Sequence, residues 1–281
     1  MSLAVAVIAP GNMGAAVGKR LTERSVEVLT TLSERSKASY ERATAAGMRA
    51  VPLEELTGAQ LILSIVPPGA ALTLAQQMAP ALSAAARKPV FVDCNAVSPT
   101  TAARIAAVIE ATGTPFVDAG IIGPPPRPEG PQPSIYVSGS QASRVSVLTA
   151  HGLDIRVLDA PTGAASALKM SFAGITKGVT AVATAMTLAA VRVGAHNELH
   201  RELADREPAL LASLARKIPD MLPKAYRWVA EMQEISQFVT PEAGGDIYAG
   251  ASQIYDRVAR AMASDAAELE ALRSFFAGTR S

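Results

Sequence analysis

Residues 3–9 (LAVAVIA) form an unbroken apolar run of strand length, and the chain then passes through Pro10-Gly11-Asn12-Met13-Gly14 into a helical pattern over residues 15–23. No other feature narrows the possible folds so sharply. An apolar run without alternation predicts a parallel strand covered on both faces. A tight glycine turn between that strand and a helix predicts the first step of a doubly wound α/β sheet. Gly11 lets the backbone approach a pyrophosphate, whose charge meets the free N–H groups of the helix start. Gly14, with Gly18, lets the helix lie close on the sheet. Ala9 stands where the usual fingerprint has its first glycine. Ala9, Gly11, Asn12, Met13 and Gly14 are therefore the candidate residues of a dinucleotide site. The apolar run reads as a first strand rather than a signal peptide, because no basic segment precedes it.

The chain continues in the same alternation. Strands are expected over residues 26–31, 50–51, 61–66, 89–93, 116–119, 134–138 and 155–158, with helices over 70–82 and 100–111. A dinucleotide site that prefers NAD places Asp or Glu at the tip of the second strand, on the ribose 2′-hydroxyl. Here the tip reads Thr30-Thr31-Leu32-Ser33, followed by Glu34-Arg35-Ser36-Lys37. Arg35, Ser36 and Ser33 suit a 2′-phosphate, because Arg offers a planar set of phosphate donors. The cofactor expected is NADP, with NAD the less favoured. Val66 and Pro67 fall at the carboxyl end of the sheet, where folds of this kind bind ligands. The expected fold is a Rossmann-type doubly wound parallel sheet over residues 1–160, followed by an all-α domain over 161–281 joined by a long inter-domain helix.

That helix is expected to begin near residue 164. Residues 178–191 carry no charge, which predicts burial on every face, either as the core of a second domain or shared between two subunits. The uncharged run falls short of the ~20 residues a membrane span requires. Lys169 lies near the helix start among Ala, Ser and Gly; burial there would lower its pKa into a useful range. Helical patterns follow at 198–205 and 208–218, with Pro219 and Pro223 expected to break them, and further helices open at Lys224 and Ile247. Arg227 and Glu231 read as a surface pair at i, i+4.

Composition excludes several classes of function. A net charge of +1 gives no field favouring nucleic acid or an anionic membrane. Arg201, Arg206, Arg216 and Lys217 alternate with acids and read as a solvated face. The single cysteine, Cys94, excludes an internal disulfide and fits the cytoplasm. His196 and His200 are spaced for a shared metal, but no third ligand stands near, so no metal site is expected.

Four spaced motifs resemble those of the β-hydroxyacid dehydrogenase superfamily, which includes 3-hydroxyisobutyrate and 6-phosphogluconate dehydrogenases and, as a divergent branch, imine reductases. They are Ile8-Ala-Pro-Gly-Asn-Met-Gly14, Asp93-Cys-Asn-Ala-Val-Ser-Pro99, Phe116-Val-Asp-Ala-Gly-Ile-Ile-Gly-Pro124 and Gly163-Ala-Ala-Ser-Ala-Leu-Lys169. The C-terminal part resembles a sparsely characterised 6-phosphogluconate-dehydrogenase-like subgroup. The resemblance implies a hydride-transfer enzyme acting on a CH–OH or carbonyl substrate, with Lys169 as general acid and base. It implies Asn95 and Ser98 as hydrogen-bonding orienters, Asn95 also at the cofactor, and a homodimer through the C-terminal half. The chain departs from the family where Asn95-Ala96 replaces a Ser-Thr pair, Ile122-Gly123-Pro124 replaces Ser-Gly-Gly, and Phe172 and Ala173 replace two Asn. These changes imply a more apolar pocket, lined by Ile122, Gly123, Phe172 and Trp228 of a partner subunit, for a bulkier substrate. An imine reductase and a non-catalytic NADPH-binding protein are the alternatives.

Overall fold

The structure is a computed structural model that describes residues 3–33, 35–127, 129–130, 132–240, 244–264 and 266–277. Glu34, which follows the tip of the second strand in sequence, lies outside the described residues. The chain divides into two compact units, Met1–Met170 and Ser171–Ser281.

The first unit is built on an eight-stranded sheet. In chain order its elements are β1 (Ala4–Ile8), α1 (Asn12–Thr22), β2 (Glu27–Thr30), α2 (Lys37–Ala45), β3 (Arg49–Ala50), β4 (Leu61–Ser64), α3 (Ala71–Ala84), β5 (Val90–Asp93), α4 (Pro99–Glu110), β6 (Phe116–Ile122), β7 (Ser134–Ser138) and β8 (Asp154–Val157). The strand order is β3-β2-β1-β4-β5-β6-β7-β8. All neighbours run parallel except β6 and β7. The order reverses between β1 and β4, which makes the crevice beyond their carboxyl ends the topological switch point.

Alternate residues of each strand feed two separate cores, as the pleat requires. Val5, Val7, Leu61, Leu63, Val90 and Val92 belong to one core. Ala6, Ile8, Ile62 and Phe91 belong to the other. This is why the strands read as apolar runs without alternation. Strand β6 extends three residues beyond the expected Ala119, because Gly120, Ile121 and Ile122 pair with Tyr136, Ile135 and Ser134 of β7. Pro80 lies inside α3 without ending it.

Helix α5 (Ala164–Arg192) begins in the first unit and supplies its remainder to the second. The second unit adds α6 (His196–Arg206), α7 (Pro208–Met221), α8 (Ala225–Phe238), α9 (Gly244–Ser264) and α10 (Ala266–Ala277). Two sequence expectations, on Pro219 and Glu231, are corrected here, and a third is met in part. Within one chain residues 178–191 are not buried all round: Val179, Val182 and Met186 are 45%, 58% and 59% exposed, so all-round burial needs the second subunit read from the sequence as the alternative. One face of α5 (Ala173, Thr180, Ala181, Thr184, Thr187) is buried, while the opposite face stays open, and an uncharged sequence does not distinguish the two. Pro219 does not break α7, which runs on to Met221. Glu231 is no surface pair with Arg227. It is buried and bonds to Lys177 Nζ, while Arg227 Nε donates to the Tyr226 hydroxyl.

By length and composition alone α5 would also meet the requirement for a bilayer span. Its Lys177, however, is held inside the helical unit. The ammonium lies 4.7 Å from the Trp228 ring centroid, Trp228 meets Tyr255 edge-on at 5.1 Å, and the Tyr255 hydroxyl donates to the Lys177 carbonyl at 2.5 Å. Burial, and then the Glu231 charge, push the Tyr255 phenol up, so it remains a donor.

Candidate functional site

Strand register fixes what meets at the carboxyl edge of the sheet. Ile8 pairs with Ser64, Ser64 with Asp93, and Asp93 with Asp118. Two positions further along each strand direction stand Pro10, Val66, Asn95 and Gly120. They therefore form a crest across β1, β4, β5 and β6. Three strand spacings of about 4.8 Å separate its ends by roughly 14 Å.

At the β1 end, the glycine turn is shaped by steric exclusion. A Cβ on Gly14 would stand 2.1 Å from the Ala9 carbonyl oxygen, so only glycine lets α1 start this close to the strand. A Cβ on Gly18 would press on Met48 Sδ at 2.8 Å. Gly11 differs: a Cβ there would meet nothing within 4 Å, so its bare backbone faces open space. Gly11 is the N-cap of α1, no side chain caps the helix, and its first turn holds no acid. Asn12 is exposed and Met13 half-buried beside it. An uncapped helix start facing open space is the arrangement that receives a pyrophosphate, so the residues present fit a dinucleotide.

At the tip of β2 the two threonines are withdrawn from any ligand. Thr30 is fully buried and its hydroxyl donates to the Val7 carbonyl, and Thr31 is buried too. Ser33 and Ser36 are exposed and Arg35 half-buried. Ser36 is the N-cap of α2, yet its side chain does not cap the helix.

At the middle of the crest, Asn95 braces the strand ends. Its Nδ2 donates to Ser64 Oγ (2.8 Å) and to Asp93 Oδ1, and its Oδ1 accepts from the Val66 N–H at 2.7 Å. Both amide hydrogens are thus engaged within the protein, and Asn95 is 2% exposed. Ser98 is the N-cap of α4, accepting from the Thr101 N–H at 3.2 Å, and is also buried. At the end of β4 Val66 is half-buried and Pro67 is exposed. Beneath them, burial and then the neighbouring Asp118 push the Asp93 carboxyl up to about 7. Its Oδ2 is buried without a hydrogen-bond partner. Burial likewise raises the Cys94 thiol, which leaves it a small protonated core residue.

At the β6 end, Asp118 clamps the start of α5. Its Oδ2 accepts from Ser138 Oγ (2.9 Å), Gly163 N–H (3.0 Å) and Ser166 N–H (3.0 Å), and its Oδ1 accepts from Ser166 Oγ (2.5 Å). A buried carboxylate that accepts this many bonds satisfies N–H groups that the first turn of a helix otherwise leaves without partners. Gly120 completes the fit: a Cβ there would stand 2.7 Å from the Ala165 carbonyl oxygen and 2.9 Å from Lys169 Cβ. The strand and the first turns of α5 thus approach as closely as backbone permits, and Lys169 is set against β6 beside the crest. Lys169 is half-buried, less enclosed than its small neighbours predict. Ile122 is half-buried, and Gly123 holds a φ of 129° against Pro133, where a Cβ would stand 2.9 Å from Pro133 Cα.

The remaining sequence candidates lie in the other unit. Phe172 is 48% exposed. Trp228, expected in a partner's pocket, is engaged by Lys177 and Tyr255 of its own unit. His200 packs edge-on to Phe275. Sequence reasoning missed the clamp of Asp118, Ser138 and Ser166, and the role of Gly120. An aspartate and a glycine inside the apolar strand sequence FVDAGII were the available signal, since glycine within a strand marks a close backbone approach.

A family model described as the NAD binding domain of 6-phosphogluconate dehydrogenase matches residues 4–149, and a domain of unknown function, DUF1932, matches residues 190–258. A conserved protein of unknown function, itself described as structurally similar to 3-hydroxyacid dehydrogenases, is 29% identical with a TM-score of 0.71, covering 94% of this chain and all (100%) of its own. An uncharacterized 28.5 kDa protein of Methanothermus fervidus is 27% identical over 217 residues, 76% of this chain and 82% of that protein. At lower identity the fold is shared with Mycobacterium tuberculosis 3-hydroxyisobutyrate dehydrogenase (19%, TM-score 0.70, 98% and 100% covered). It is also shared with a Myxococcus stipitatus imine reductase in complex with NADP+ (16%, TM-score 0.56, 94% and 95% covered).

Proposed function

The chain belongs to the family defined by the NAD binding domain of 6-phosphogluconate dehydrogenase, within the β-hydroxyacid dehydrogenase superfamily, and on that premise we propose that it is an NADP-dependent oxidoreductase acting on a CH–OH or carbonyl substrate. The observation that carries this reading is the fit of Lys169 against Gly120, on the same crest as the open glycine turn. The nicotinamide supplies or accepts a hydride, which no side chain can do.

The protein's own residues do the rest. The N–H groups of Asn12 and Met13 receive the pyrophosphate, while that of Gly11 donates to the Ala9 carbonyl at 2.8 Å and holds the turn; Arg35, Ser36 and Ser33 receive the 2′-phosphate. Val66, Pro67 and the Asn95 brace hold the crest in shape beneath the dinucleotide. In reduction, Lys169 Nζ gives a proton to the carbonyl oxygen, and in oxidation it takes that proton from the hydroxyl. The clamp at Asp118 stops the first turn of α5 from sliding, which keeps the ammonium on target. Ile122 and Gly123 border this position with apolar surface, which supports a substrate bulkier and less polar than a small sugar acid. Phe172 extends the apolar character of α5 just beyond Lys169.

The test is NADPH oxidation against a panel of sugar acids, aryl and alkyl ketones and cyclic imines. Turnover with ketones supports the reading, turnover with imines alone assigns an imine reductase, and cofactor binding without any turnover assigns a binding protein. In Lys169→Ala, kcat should fall about 10²–10⁴-fold, the usual range for a lost acid–base group, while NADPH affinity stays within about twofold. Unimpaired turnover would reduce Lys169 to a structural residue. The exposed apolar face of α5 supports a homodimer; a monomer by light scattering at working concentration would contradict it.

A further inference from the structure

Arg42 lies on α2 with no role assigned to it by motif or spacing. Its Nε donates to the carbonyl oxygen of Pro10 at 2.8 Å, and its Nη2 donates to Ser39 Oγ at 3.1 Å. Ser39 Oγ is in turn 3.2 Å from Ser36 Oγ. One half-buried guanidinium therefore ties the glycine turn to the face of α2 that carries Ser36, Ser39 and Arg42 at three-residue spacing. This linkage explains why Ser36 stands at the N-cap without capping its helix: its hydroxyl is turned to Ser39 instead. The start of α2 has no acid in its first turn. The N–H groups of Ser39 and Tyr40 already donate to the Ser36 carbonyl, and Arg35 stands immediately before the helix N-cap. Arg42 belongs to the last turn of α2, but its guanidinium reaches Ser36 through the Ser39 hydroxyl and adds positive charge to that face.

We infer that Arg42 is a further cofactor-specificity residue, which holds Ser36 and Ser39 in place and adds its fixed charge to select a 2′-phosphorylated nucleotide over its unphosphorylated form. The inference rests on the NADP reading above. A guanidinium suits this role better than an ammonium, because its planar fork holds two protein acceptors in fixed directions and still presents N–H to a third group. A residue that served only as a strut would support both nucleotides equally, since NADP and NAD share the pyrophosphate that lies on the glycine turn. Selectivity between the two therefore separates the roles.

The experiment is calorimetric titration of the wild type, Arg42→Ala and Arg42→Lys with NADPH, NADH, 2′,5′-ADP and 5′-AMP. The wild type is expected to prefer NADPH and 2′,5′-ADP. Arg42→Ala should weaken both about 10- to 100-fold, the effect of a lost charge-assisted contact, and weaken NADH and 5′-AMP less than about threefold. Arg42→Lys keeps the charge and stem but loses the fork, and should fall between. It decides the matter if Arg42→Ala does not fold. A uniform loss across all four ligands, or no loss, in a protein whose wild type prefers NADPH would overturn the role of Arg42 alone. A wild type without preference for NADPH would overturn the NADP reading and this inference with it.

Discussion

The crest of the sheet and the core of the helical unit both bury charge, but they hold it in opposite ways. At the crest, Asp118 is buried by backbone: two of its four partners are main-chain N–H groups at the start of α5. Those directions are set by the strand register and by Gly120, and side-chain rotamers add little. In the helical unit, Lys177 and Glu231 hold each other through long side chains, and Trp228 and Tyr255 close around them. The first arrangement is rigid and suits a site that must keep one atom in one place. The second is a packing solution, and it depends on every member.

The comparison predicts unequal responses to substitution. The largest belongs to Glu231→Ala, which removes the carboxylate bonded to Lys177, whose side chain is 17% exposed. Loss of one partner of a buried pair costs on the order of 3 kcal/mol, read as a lower urea midpoint. A cost below about 1 kcal/mol would mean that the pair does not organise the unit.

Next in size is Gly120→Ala, whose added methyl meets the Ala165 carbonyl and Lys169 Cβ. Overpacking of this kind costs about 1–3 kcal/mol, and displacement of α5 should lower kcat more than it raises KM for NADPH. Equal kcat in the variant would show that Lys169 is not held by this contact.

Asp93→Asn probes the buried row under the crest. The folded carboxyl titrates near 7, against 3.8 when unperturbed. The folded state therefore keeps a proton that the unfolded chain has already released, so stability falls as pH rises from about 4 to 7 and is level above. The Asn variant keeps an acceptor for Asn95 and has no proton to lose. Its Tm relative to wild type should rise by an amount worth about 2–3 kcal/mol between pH 5 and 8; an unchanged difference would refute the raised pKa.

The smallest effect on stability belongs to Gly11→Ala. Its methyl enters open space, so unfolding should change by under about 1 kcal/mol. NADPH affinity should nevertheless fall roughly tenfold, because the methyl occupies the approach to the turn. The same substitution at Gly14 should damage folding itself.

Much of the sheet unit was legible in the sequence because its determinants are local. Apolar runs without alternation, the glycine turn after residue 9 and the alternation of strand and helix each follow from backbone sterics and burial on two faces. The extension of β6 was not legible, because it depends on pairing with β7 far along the chain. The individual roles at the crest were only half visible. The motifs singled out Lys169, Asn95 and Ser98, but not that Asn95 bonds Ser64, Asp93 and Val66 or that Ser98 caps α4, because a hydrogen-bonding side chain carries no mark of which partner it will meet.

In the helical unit the sequence fell short where composition stood in for burial. An uncharged helix looks the same whether one face or all faces are covered. An Arg and a Glu at i, i+4 look like a surface pair until a lysine from another helix claims the carboxylate. By itself, then, the sequence determined the strands, the glycine turn and the order of the elements, because these rest on interactions within a few residues. Only the tertiary structure decided which polar groups meet. Register, helix crossing and the sub-van der Waals room at Gly120 and Gly14 are properties of segments distant in the chain brought to contact.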